Sequence, residues 1–138
     1  MKRIVLLTIA VAVMAFAADY YDKYGHGTGR SATNGNQTRY YDRYGHNTGY
    51  SNHGENQSTH YDRYGHNTGR TSYNGNQSTF YDQYGHTTGR AVQHGNTVRY
   101  YDRYGHSVGR AQINGDGSVN YYDKYGHATG RSVGGGRE

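Results

Sequence analysis

Six histidines, His26, His46, His66, His86, His106 and His127, each stand four residues after an aspartate, Asp22, Asp42, Asp62, Asp82, Asp102 and Asp123. Imidazole and carboxylate are common ligands of transition-metal ions, so the pairing raises a metal reading. Ligands must converge within a few ångströms. Copies stacked about 4.8 Å apart would align the histidines, whereas copies two strands apart, roughly 9.6 Å, could not share an ion. Histidine as a strand residue packing on tyrosine after a turn accounts for the pattern without a metal. We therefore assign no metal site and expect no cofactor.

The tyrosines carry a second chemistry. All eighteen lie beyond Ala18, where leucine, methionine, tryptophan and proline are missing and the aliphatic residues are few. Any buried layer must then be built largely from tyrosine, whose hydroxyl needs a partner or solvent. Surface members, for which Tyr50 and Tyr73 are the candidates, are free to stack on sugars or cationic head groups or to cross-link. Arg30, Arg70, Arg90, Arg110 and Arg131 each follow a glycine. They suit anionic sugars, and equally the charged protection of a strand edge. No enzyme is expected: there is no cysteine, the only glutamates are Glu55 and Glu138, and six equal copies suit a repeated surface better than one asymmetric pocket.

These residues must be positioned by a repeat. The core Tyr-Asp-x-Tyr-Gly-His-x-x-Gly starts at Tyr21, Tyr41, Tyr61, Tyr81, Tyr101 and Tyr122, at a period of twenty residues broken once by an extra residue in Asn114-Gly115-Asp116-Gly117. Aspartate in first place and Gly25, Gly45, Gly65, Gly85, Gly105 or Gly126 in fourth is the signature of a type I turn. A second turn is marked by Asn34-Gly35, His53-Gly54, Asn74-Gly75, His94-Gly95 and Asn114-Gly115. Two turns per copy mean two strands per copy, for instance about Gln37 to Asp42 and His46 to Ser51. Alternation sends Tyr40 and Tyr41 to opposite faces.

One unit cannot fold alone, so copies must pack on each other. The fold expected is an all-β, elongated array of hairpins, a meander or β-solenoid, with open edges at both ends. A basic row at Lys23, Arg43, Arg63, Arg103 and Lys124, broken by Gln83, favours hairpins over the tight stack, because like charges repel by about 0.9 kcal/mol at ~4.8 Å in water and about half that at ~9.6 Å.

The first residues differ from the rest. Lys2 and Arg3 precede an apolar run from Ile4 to Phe16, and Ala15-Phe16-Ala17 offers small residues where a signal peptidase reads them. Residues 1–17 are read as a signal peptide too short to span a bilayer stably. Residues 18–138 form one β-repeat domain with copies starting near residues 20, 40, 60, 80, 100 and 121. Loss of Lys2 and Arg3 leaves 13 basic against 10 acidic residues, interleaved with no patch resembling a nucleic-acid site.

The stretch Gly35-Asn36-Gln37-Thr38-Arg39-Tyr40-Tyr41-Asp42-Arg43-Tyr44-Gly45-His46 resembles the YD repeats of Rhs-type and teneurin-type proteins. That resemblance implies a spiralling hairpin sheet and contact with carbohydrate or a cell surface. Tyr40-Tyr41, Gly45, Thr48 and Gly49 are similar in outline to the choline-binding repeats of bacterial surface proteins, which form a hairpin solenoid. The expected function is that of a secreted structural or adhesive protein of the envelope or matrix, its partner a second copy in a homo-oligomer or fibre; the alternative is a module that binds cell-surface glycan.

Overall fold

A computed structural model of the protein describes residues 17–134. The reading of residues 1–17 as a signal peptide lies, but for Ala17, outside them. The described residues form twelve antiparallel strands: β1 (Ala17–Asp22), β2 (Gly27–Asn34), β3 (Gln37–Asp42), β4 (Asn47–His53), β5 (Gln57–Asp62), β6 (Asn67–Asn74), β7 (Gln77–Asp82), β8 (Thr87–His94), β9 (Thr97–Asp102), β10 (Ser107–Ile113), β11 (Val119–Asp123) and β12 (Ala128–Gly134). Each strand pairs with its sequence neighbours, and β1 pairs with β12 from Ala18↔Gly134 to Asp22↔Gly130, closing a barrel.

The closed barrel corrects the expectation of an elongated meander or solenoid. The hairpins are present, two strands to each copy, but they curl until the first and last strands meet. The cause is a β-bulge at the same place in each of the six hairpins that join an odd-numbered strand to the next even-numbered one. In the β3–β4 pair Tyr40 faces Gly49 and Tyr41 faces Asn47, which leaves Thr48 as the extra residue. Equivalent register shifts occur in the β1–β2, β5–β6, β7–β8, β9–β10 and β11–β12 pairs. Bulges bend a strand and increase its twist. Six of them at regular intervals supply the curvature for closure, which leaves no unpaired edge.

Glycine permits the close approach at the bulge. A Cβ on Gly69 would collide with the carbonyl oxygen of Tyr81 on the next strand, and Gly29, Gly49, Gly89, Gly109 and Gly130 meet the carbonyls of Tyr41, Tyr61, Tyr101, Tyr122 and Tyr21 in the same way. The second glycine of the core motif is thus required by strand contact. The turns at the opposite end differ slightly from expectation. Asn34 is still paired, with Gln37, so the loop is Gly35-Asn36, with Gly35 at φ 65° as a primed turn demands of its first residue. In the last such loop the inserted residue produces a longer turn, in which Asn114 N–H donates to the Ser118 carbonyl and Gly117 N–H to that of Asn114.

Side-chain alternation fills the interior. Thr38, Ser58, Ser78, Val98 and Val119 are buried, as are Ser31, Ser51, Thr71, Ala91, Ala111 and Ser132 on the facing strands. Over them lies a row of ring side chains, Tyr20, Tyr40, His60, Phe80, Tyr100 and Tyr121. The phenols of Tyr20, Tyr40 and Tyr121 bond the hydroxyls of Ser31, Ser51 and Ser132 at 3.0–3.2 Å. His60 bridges Ser51 and Thr71 at 2.6 and 2.8 Å. Phe80 stands directly opposite Thr71 and Gly89, and Tyr100 opposite Ala91 and Gly109. One half of the interior is apolar, built on Ala91, Val98, Ala111 and Val119. The other carries a chain of bonds from Thr33 through Thr38, His53 and Ser58 to Tyr73, each 2.7–2.8 Å. The buried layer is therefore less purely tyrosine than composition implied.

Candidate functional site

The six Asp-x-x-Gly turns gather at one end of the barrel, because each connects an odd-numbered strand to the next even-numbered one. Within a turn the aspartate does the structural work. In the third copy Gly65 N–H donates to the Asp62 carbonyl at 3.1 Å, and Asp62 Oδ1 accepts from the N–H groups of Tyr64 and His66 at 2.8 and 2.9 Å. Asp62 Oδ2 faces His66 Nδ1 at 3.1 Å. The other five turns repeat this geometry, with Asp Oδ2 to His Nδ1 separations up to 3.4 Å. The backbone N–H of each following histidine, above all, holds Asp22, Asp42, Asp62, Asp82, Asp102 and Asp123 below the usual carboxylate range.

What the turns display is aromatic. Tyr24, Tyr44, Tyr64, Tyr84, Tyr104 and Tyr125 occupy the third turn position and are 73–76% exposed. Each has the histidine ring of its own turn 6.2–6.3 Å away at a tilt of 42–45°. A cation stands over four of them: Lys23 and Lys124 at 5.2 and 5.3 Å, Arg43 and Arg63 at 5.9 and 5.8 Å. An exposed phenol ring flanked by imidazole and cation is a platform for stacking, with hydrogen-bond donors at its rim. Exposed large aromatic side chains repeated at one end of a fold mark a candidate interaction surface.

The outer wall holds the other site candidates. Tyr41, Tyr81, Tyr101, Tyr122 and Tyr21 point outward, each beneath an arginine of the neighbouring strand: Arg30, Arg70, Arg90 and Arg110 at 4.0–4.4 Å from the ring centroid, and Arg131 at 5.9 Å. The sixth, Tyr61, stacks on Tyr50 at 4.9 Å where the arginine is replaced. These arginines join the repeats by cross-strand contacts. A wall bearing them is unlike the apolar band of a transmembrane barrel. Among the described residues no helix is long and apolar enough to cross a membrane.

The six histidines sit on separate turns, and among the described residues no three His, Asp or Glu side chains gather as a metal would require. Two tyrosines depart from expectation. Tyr73 points inward to Ser58, and Tyr50 is half-buried on the wall. The most exposed tyrosines, at the turn tips, were missed as surface residues. The type I turn itself carried the signal, since its two central side chains project to solvent.

Comparison with known protein families and with curated proteins finds no match.

Proposed function

We propose that this protein is an exported, multivalent binding module that adheres to glycan or another repetitive polymer of a cell surface or matrix. The ring of six exposed turn tyrosines carries this reading. Each is one weak platform, and a rigid barrel fixes all six at once, so that a repetitive ligand gains by effective concentration what a single tip lacks. Export is the expectation from Lys2, Arg3 and the apolar run Ile4 to Phe16. Assembly into fibres through open strand edges has lost its motive, because those edges pair with each other.

A glycan array probed with residues 18–138 tests the reading, followed by titration of the hits against variants with one, two and four of the tip tyrosines changed to alanine. Binding should fall more steeply than in proportion to the tips removed. Binding that survives the loss of four tips would place the surface elsewhere, and an array without hits would remove the glycan.

A further inference from the structure

The six hairpins are equal in backbone but not in charge. On the outer wall each has one directly opposed pair at the same level, and in five of them a cation faces a neutral or acidic residue: Asp19, Tyr50, Thr59, Thr79 or Asn120. In the β9–β10 hairpin Arg99 stands directly opposite Arg110. Like charges in this position destabilise a sheet. Among the described residues neither arginine has a carboxylate within ion-pairing distance.

A cleft of about 250 Å³ opens at that place, lined by both arginines together with Lys124, Ser107, Tyr125 and Asp123. The Asp123 carboxylate is already committed, accepting from the N–H groups of Tyr125 and His127 at 2.9 Å. The Arg110 guanidinium lies over the Tyr122 ring, 4.3 Å from its centroid. Arg99 is exposed. Three cations against one engaged carboxylate leave a local positive field, and two of the cations are arginines, the side chain suited to holding an oxyanion. A breach of the charge rule in one copy out of six, beside a cleft, marks the place as a candidate binding site.

We propose that the Arg99–Arg110–Lys124 cleft binds an acidic glycan, with a sulfate or carboxylate group lying between the two guanidinium groups. This rests on the glycan reading above and deepens it: the ring of tips supplies avidity, and this one cleft, which borders the Tyr125 tip, selects for charge.

The test titrates residues 18–138 with a heparin-derived tetrasaccharide, its desulfated and N-acetylated counterpart, and inorganic sulfate. It compares the natural chain with Arg99→Thr, which copies Thr59 and Thr79, and with Arg39→Thr, the matching position in the second hairpin. Arg99→Thr should weaken the sulfated tetrasaccharide about tenfold, the loss of one charge-assisted pair, and should melt no lower than the natural chain because the like-charge contact is relieved. Arg39→Thr should leave affinity almost unchanged. Equal loss in the two variants, or inorganic sulfate binding as tightly as the tetrasaccharide, would overturn the proposal, the first in favour of diffuse charge and the second in favour of a simple anion site. Array hits that depend on the tip tyrosines and are indifferent to Arg99→Thr would sink the cleft and leave the module standing. Tip variants that leave Tyr125 in place and bind as before while Arg99→Thr fails would do the reverse.

Discussion

An inward ring side chain needs its partner on the adjacent strand. Tyr20, Tyr40 and Tyr121 each reach a serine eleven residues on, and burial, only partly offset by that serine, raises their hydroxyls to about 12. Tyr100 faces alanine instead, and burial raises it further. His60 takes the same place between Ser51 and Thr71, and burial, with a smaller contribution from His53, lowers it from 6.5 to about 4. The unfolded chain therefore binds a proton near pH 6.5 that the folded chain refuses until about pH 4. Stability is full above the upper value and falls as pH drops through that window, by on the order of 3 kcal/mol. His53, also lowered by burial, adds in the same direction. His60→Tyr, the residue most copies carry here, should flatten most of that slope in melting midpoints taken between pH 4 and 6.5. An unchanged slope would assign the acid sensitivity elsewhere. The alternation of Tyr40 and Tyr41 was legible in the sequence. The pairing of Tyr20 with Ser31 was not, because it depends on strand register.

At the scale of the strand pair, two features of the core motif do different work. The Asp-x-x-Gly segment closes the turn, and its spacing alone announced it. The final glycine reads in sequence as mere flexibility, yet it is the point where a strand passes against the carbonyl of its neighbour. Gly65→Ala and Gly69→Ala separate the two roles. At Gly65 an added methyl meets only the Tyr50 hydroxyl, at 3.8 Å, and the penalty is the φ of 87°. Gly69 combines a φ of 152° with the Tyr81 carbonyl. Chemical denaturation should show a loss of about 1 kcal/mol for the first and about 3 kcal/mol or more for the second. Equal losses would mean that the bulge gives way easily and does not set the curvature. The bulges were the illegible part, since one extra residue per copy hides inside the twenty-residue period.

At the scale of the molecule, closure is the property that no single copy predicts. Strand number, tilt and stagger must agree for a sheet to meet itself, and a reading copy by copy leaves both ends open. A chain ending at Ile113, without β11 and β12, should expose β1 and β10 as edges and associate on size-exclusion chromatography. The natural chain over the same concentrations should stay monomeric; association by both alike would make closure irrelevant to solubility. Closure also gives the barrel a direction. β1 runs from Ala17 towards the tyrosine-bearing turns and β12 runs back from them to Gly134, so chain entry and chain exit share the pole opposite the aromatic ring. A tether, a tag or a neighbouring segment joined at either terminus leaves from the rear, and an anchored molecule faces outward with all six contact points whichever terminus holds it.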